Sequence, residues 1–185
     1  MIRPSFLALM DKFGIDTPLN CLEVGVREGF NAVEMLKFAP NITLTLVDPY
    51  KDTDHIRKEM LQRLKPWQIK FIHKTSVEAS ALIKDESLDY VYIDGDHSYK
   101  MVTEDINHWF RKVKGGGIIA GHDWGYVHMA VKDCFKPESK LAIVAVQPLV
   151  KYFPPQYWSV SSDWWVHKEY WKWGDSNINE DIISA

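Results

Sequence analysis

Apolar positions along the chain alternate between two periodicities. Residues 19–24, 43–47, 69–72 and 88–93 are short apolar or β-branched runs, and each predicts a strand. Between them lie segments whose apolar residues recur three and four positions apart. Phe6, Leu7, Leu9, Met10 and Phe13 predict a first helix, stopped at Gly14. Phe30, Val33 and Leu36 predict a second, which ends before Pro40. Ile56, Met60, Leu61 and Leu64 predict a third that Pro66 terminates. Residues 76–83 predict a fourth, capped by Thr75 or Ser76. Val102, Ile106, Trp109, Phe110 and Val113 form the apolar face of a fifth. A strand at 117–120 and a helix at 127–135 follow, the helix ending before Pro137. Residues 141–149 fit either a strand or a helix. Residues 157–160 and 164–166 flank Ser161-Ser162-Asp163 and predict a terminal antiparallel hairpin.

Strands alternating with helices predict an α/β, doubly wound, Rossmann-like fold. Its sheet is mostly parallel with helices on both faces, and the C-terminal hairpin adds antiparallel strands at one edge. No repeat or linker divides residues 1–185, so a single domain is expected.

In open parallel sheets, ligands bind beyond the carboxyl ends of the strands. Run 88–93 ends in Asp94-Gly95-Asp96-His97, and run 117–120 ends in Gly121-His122-Asp123-Trp124. If the two strands are neighbours, Asp94, Asp96, His97, His122 and Asp123 converge. Such a cluster suits a divalent metal, a proton acceptor, or both. Asp96 reads better as a turn residue than as a ligand. The first strand runs into Glu23-Val24-Gly25-Val26-Arg27-Glu28-Gly29. Gly25 permits positive φ and close approach of a ligand to the backbone. Gly29 permits tight packing where the next helix presents its free amides. This is not the dinucleotide pattern G-x-G-x-x-G. Asp48 ends the second strand, 19 residues past Gly29, where an acid can accept the hydroxyls of a ribose. Glycine turn and acid together predict an adenosine-containing ligand, and the acid disfavours a 2′-phosphate.

Composition narrows the partners. The chain has 185 residues, 46% hydrophobic and 25% charged, with a net charge of −3. That balance gives no field favouring nucleic acid or an anionic membrane. No apolar run approaches the roughly 20 residues that span a bilayer. Met1-Ile2-Arg3-Pro4 shows no signal-peptide pattern, and Cys21 and Cys134 read as separate buried thiols, so a cytoplasmic protein is expected. Eight tryptophans, four of them between Trp164 and Trp173, imply a buried edge or a partner surface.

The four segments Glu23–Gly29, Leu46-Val47-Asp48-Pro49-Tyr50, Tyr92-Ile93-Asp94-Gly95-Asp96-His97 and Gly115-Gly116-Gly117 through Gly121-His122-Asp123, in that order, resemble the class I S-adenosylmethionine-dependent methyltransferases. Within them the chain is similar to the metal-dependent O-methyltransferase branch that includes macrolide-sugar O-methyltransferases and cephalosporin-hydroxylase-like proteins. The resemblance implies that Glu23, Gly25, Val26 and Gly29 hold the methionine part of S-adenosylmethionine and that Asp48 binds its ribose. It places Ser76 and Val77 near the adenine, and Asp94 beside the cofactor. It makes Asp94, His122 and Asp123 the ligands of a divalent ion, Mg or Mn, and His97, with Asp94, the catalytic pair. The branch carries an acid where His122 stands here, and an imidazole shifts preference toward Mn, Fe, Co or Zn. The implied activity is metal-assisted O-methylation of a hydroxyl on a small molecule or sugar. A chain this short has little room for a large recognition insertion. The acceptor is therefore small or shared with a second subunit of a homo-oligomer. Two other readings remain open: an NAD-dependent oxidoreductase on a similar sheet, and a non-catalytic adenosyl-binding protein.

Overall fold

The computed structural model describes residues 2–135, 141–144 and 163–168. Seven strands and six helices follow the predicted alternation. They are α1 (Pro4–Phe13), β1 (Asn20–Val24), α2 (Phe30–Phe38), β2 (Thr43–Val47), α3 (Asp54–Leu64), β3 (Ile69–Ile72) and α4 (Ser76–Ser80). Then come β4 (Leu88–Ile93), α5 (Tyr99–Phe110), β5 (Val113–Gly121), α6 (Trp124–Cys134), β6 (Leu141–Val144) and β7 (Asp163–His167). The strand order is β3-β2-β1-β4-β5-β7-β6. The first five strands run parallel, and β7 lies antiparallel between β5 and β6.

All six residues of β4 are buried, as a strand covered on both faces requires. Tyr90 and Tyr92 pack with Phe6, Leu9, Leu36 and Met60 on one face, the side of α1, α2 and α3. Val91 and Ile93 pack with Val102, Ile106, Trp109 and Val131 on the other, the side of α5 and α6. Thr75 caps α4 with a reciprocal capping box: its hydroxyl accepts from the Glu78 amide, and Glu78 bonds back to Thr75.

Register places the chemistry. Val47, Val24, Ile93 and Gly121 pair in one row across β2, β1, β4 and β5. The next residue on each strand is Asp48, Gly25, Asp94 and His122, so all four leave the sheet on one rim. The strand order reverses between β1 and β4, which is where an open α/β sheet leaves a crevice.

Three details refine the sequence reading. Val113 belongs to β5 rather than to the face of α5; it pairs with Leu88, and the register then shifts before Tyr90 meets Ile118. Three successive glycines, 115–117, lie in that irregular stretch. Residues 141–144 form a strand, which settles the ambiguity for that part. The antiparallel end pair is β6 with β7, and both edges of β7 are occupied by β5 and β6. Residues 145–149 and 157–160 lie outside the described residues. No helix among the described residues is long and apolar enough to cross a membrane.

Trp164 explains a constraint on β5. A Cβ at Gly121 would lie 2.6 Å from the Trp164 ring and 2.7 Å from the Ile93 carbonyl oxygen. Gly121→Ala should therefore lower stability by roughly 1–3 kcal/mol, the range for overpacking a core. Chemical denaturation checks this, and an unchanged midpoint would show that β7 can move aside.

Candidate functional site

The β1 turn is closed by its neighbours. Gly25 has φ +81, and a Cβ there would stand 2.2 Å from the Asp94 carbonyl oxygen and 2.7 Å from Gly95 Cα. The side of Gly25 where a Cβ would stand is therefore filled by the backbone leaving β4. Gly29, with φ +76, takes the N-cap of α2, and a Cβ there would meet Met60 and Leu64 at 3.0 and 3.3 Å. That is the tight packing expected of it.

Asp48 is turned toward this loop. Its Oδ2 accepts hydrogen bonds from the amides of Val26 (2.8 Å) and Arg27 (3.1 Å), and its Oδ1 accepts from the Tyr50 amide (2.8 Å). It thus braces the glycine turn. A carboxylate offers about four acceptor positions, so one remains for a ribose hydroxyl.

Glu23, one residue before the end of β1, has 1% of its surface exposed. Asn31 Nδ2 donates to Oε1 at 3.2 Å, and Oε2 is buried with no partner among the described residues. Burial pushes its carboxyl up to about 8. An unpaired buried carboxylate oxygen fits the ammonium group of a methionine moiety.

The acidic corner forms as the sequence suggests, with one difference. Donor atoms of Asp94, His97 and Asp123 all lie within 4.8 Å of one another. His97 Nε2 stands 3.3 Å from Asp123 Oδ2 and 3.6 Å from Asp94 Oδ1. His122 Nδ1 is 3.1 Å from Asp123 Oδ1 and 3.9 Å from Asp94 Oδ1. His97 thus stands nearer than His122 to Asp94 and slightly farther from Asp123, so both imidazoles flank the pair. His122 Nε2 is buried and has no partner among the described residues. Burial raises the Asp94 pKa against the opposing pull of His122 and Arg3. Asp123 holds a left-handed conformation, φ 54, at the N-cap of α6. Asp96 accepts from the Ser98 amide at 2.8 Å and is a turn residue, as read.

Ser76 and Val77 open α4, on the far side of the β4 loop. The Ser76 hydroxyl accepts from Trp109 Nε1 at 2.7 Å.

Three residues in or beside the site escaped the sequence reading. Arg3 reaches from the start of α1 to within 3.8 Å of Asp94 Oδ2 and 4.0 Å of Asp163 Oδ1, over the Tyr92 ring. Asp163 is 1% exposed and accepts from the Ser5 amide (3.3 Å), the Ser5 hydroxyl (2.7 Å) and the Tyr92 hydroxyl (3.1 Å). Asp105 is 2% exposed, with Oδ1 unpartnered among the described residues and Oδ2 against Gly95. Only the polar face break in α5, an acid between Val102 and Ile106, hinted at Asp105. Nothing local marks Arg3 or Asp163.

The methyltransferase domain family matches residues 22–124, from the first strand to the acidic corner. The chain belongs to this family. S-adenosylmethionine-dependent methyl transfer is the activity that goes with it. No sequence among the curated proteins matches the chain. Several solved structures share its fold. An rRNA methylase from Streptococcus thermophilus is 11% identical with TM-score 0.66, covering 91% of this chain and 98% of its own. A putative S-adenosyl-L-methionine-dependent methyltransferase from Methanococcus maripaludis is 12% identical with TM-score 0.61, covering 88% and 82%. A cofactor-bound protein from MTB is 12% identical with TM-score 0.66, covering 89% and 78%. In this methyltransferase, the glycine turn, Asp48 and the acidic corner all fall inside the matched segment or at its edge.

Asp105 yields a prediction on pH. Burial raises its pKa from 3.8 to about 6, although the Ser76 hydroxyl opposes the shift. A carboxyl raised on folding is charged more readily in the unfolded chain. Stability therefore falls as pH rises from about 4 to about 6 and stays reduced above. Asp105→Asn should raise stability at pH 7 by up to about 3 kcal/mol and flatten the melting profile between pH 4 and 6. Melting temperature against pH tests this; parallel curves for variant and wild type would refute it.

Proposed function

We propose that the protein is an S-adenosylmethionine-dependent O-methyltransferase acting on a hydroxyl of a small acceptor, assisted by a divalent ion. One observation carries the reading: Asp94, His97 and Asp123 gather their donor atoms immediately beside the Gly25 turn. The acceptor site and the cofactor crevice thereby share a wall.

Glu23, Gly25, Val26 and Gly29 line the methionine end of the crevice, and the Glu23 carboxylate pairs with the cofactor's ammonium. Asp48 receives a ribose hydroxyl, while Ser76 and Val77 border the adenine. Two carboxylates with flanking imidazoles suit Mn or a later transition metal as well as Mg. Asp94 and Asp123 would hold the ion, with His122 Nδ1 as the nitrogen donor. S-adenosylmethionine supplies an electrophilic methyl group, and a bound divalent ion lowers the pKa of a hydroxyl placed on it. The protein positions the hydroxyl in line and receives its proton. His97 takes that proton, and the carboxylates 3.3 and 3.6 Å from its Nε2 stabilise the imidazolium that forms. The gathering of Asp94, His97 and Asp123 donor atoms within 4.8 Å of one another favours a second arrangement, in which His97 is itself the nitrogen ligand.

Two measurements decide. His97→Ala should keep the manganese affinity seen by electron paramagnetic resonance and lose 10²–10⁴-fold in turnover, roughly the worth of a general base. His122→Ala should weaken manganese binding. The reverse pattern would make His97 the ligand. For the cofactor, a Glu23 carboxyl at about 8 must lose its proton to pair with an ammonium. Affinity for S-adenosylhomocysteine should thus increase up to about tenfold per pH unit below pH 8, as single-proton linkage requires. Calorimetric titration of Glu23→Gln should show a weaker and pH-independent affinity. A wild type that binds no S-adenosylhomocysteine would end the reading.

A further inference from the structure

Arg3 is held in place by the turn that starts α1. It precedes Pro4, which biases it to extended backbone, and it takes the N-cap of α1 at φ −75 and ψ 140. Its carbonyl accepts from the amides of Phe6 and Leu7, both at 3.1 Å. Phe6 and Leu9 are fully buried and anchor the helix that follows. From this base the guanidinium lies over the Tyr92 ring, 5.7 Å from its centroid. Tyr92 pairs with Glu23 across β4 and β1, and Asp94 follows two residues on along the same face. Glu23, Asp94 and Asp163 all act on the charge of Arg3. Arg3 thus stands among three acids, beside the one whose free oxygen fits an ammonium group.

We infer that Arg3 binds the carboxylate at the methionine end of S-adenosylmethionine, while Glu23 takes the ammonium. The inference rests on the methyltransferase reading and adds a residue outside the segment 22–124 that the family matches. Three observations carry it. The first is spacing. An α-amino acid bears both charges on one carbon, so it needs an acid and a base side by side. Neighbouring strands lie about 4.8 Å apart, and Arg3 covers the β4 residue paired with Glu23. The second is donor capacity. The Arg3 nitrogens stand 3.8 Å from Asp94 Oδ2 and 4.0 Å from Asp163 Oδ1, beyond hydrogen-bond length, so these two acids do not consume its donors. The planar fork of a guanidinium matches a carboxylate with two parallel bonds. The side chain is 27% exposed, which leaves it open to a ligand. The third is repulsion. A ligand carboxylate arriving here without Arg3 would face Asp94 and Asp163 unopposed.

The test is calorimetric titration of the full chain with three probes. They are S-adenosylhomocysteine, its decarboxylated analogue, which keeps the ammonium, and 5′-methylthioadenosine, which lacks both charges. The wild type should bind S-adenosylhomocysteine about 10- to 100-fold more tightly than the decarboxylated analogue, the worth of hydrogen bonds to a charged group. Arg3→Ala should abolish that preference. Its Kd for S-adenosylhomocysteine should rise by the same factor, while methylthioadenosine binds as before and the decarboxylated analogue binds no more weakly than to the wild type. A purely structural role for Arg3 would weaken all three ligands alike. Arg3→Gln keeps the reach over the Tyr92 ring without the charge, and decides in the same way if the alanine variant does not fold. A wild type without the preference overturns the inference and leaves the methyltransferase reading standing. So does a variant that keeps the preference, or one that loses affinity equally for all three probes. A wild type that binds no S-adenosylhomocysteine removes both.

Discussion

There is no room for a side chain at Gly25. The backbone leaving β4 passes so close that a single added carbon would overlap the Asp94 carbonyl. This contact fixes the distance between the loop leaving β1 and the strand end that carries Asp94. The amides of Val26 and Arg27 then have to turn toward β2, where Asp48 accepts both. Three strand ends are locked to one another by one missing Cβ and one carboxylate. A ligand entering the crevice meets a rim already set, so little ordering entropy remains to be lost on binding.

The acidic corner is tied to the two ends of the chain as well. Asp163, at the start of β7, gathers Ser5, Tyr92 and Arg3, and Arg3 in turn faces Asp94. An antiparallel strand from near the C-terminus and the first helix are thereby joined behind the carboxylate. A buried acid such as Asp163 is tolerable because its oxygens are hydrogen-bonded and a guanidinium lies beside it. The same guanidinium stands against the raised pKa of Asp94. Residues far from the motifs thus share in setting the charge of the site.

Much of this was legible from the sequence, and the reason is geometric. A parallel strand covered on both faces must be apolar throughout, so its end is marked by the first polar residue. Asp48, Asp94 and His122 were found that way, and their convergence followed from the alternation of strands and helices. What the sequence hides is pairing between distant segments. β7 pairs with β5, more than 40 residues before it, and with β6. Gly25 shows the same limit. Its positive φ was foreseen, but not that the backbone of Asp94 and Gly95 packs against it. Burial of Asp105 and the reach of Arg3 depend on tertiary contacts that no local pattern encodes. The order of His97 and His122 around the carboxylates is set by side-chain rotamers at a loop, which periodicity does not specify.

Strained backbone and the raised carboxyls Glu23 and Asp94 fall in the same place. Five non-glycine residues among those described have positive φ: Arg27, Tyr50, Asp52, Glu86 and Asp123. Four of them follow directly on the carboxyl ends of β1, β2 and β5. Such conformations cost about 1–3 kcal/mol each and persist only where surrounding structure imposes them. The raised carboxyls Glu23 and Asp94 lie on the same rim, and each opposes folding in its charged form. The opposite end of the sheet carries only Glu86 of this set. A rim that needed merely to fold would not concentrate both costs at one edge. The free energy that offsets them comes from the core beneath, where β4 is buried on both faces. On the proposed reading, it is recovered when a cation meets Glu23 or a charged ligand meets the two carboxylates of the corner. The uneven distribution of strain thus supports the same conclusion as the motifs, by an argument that uses none of them.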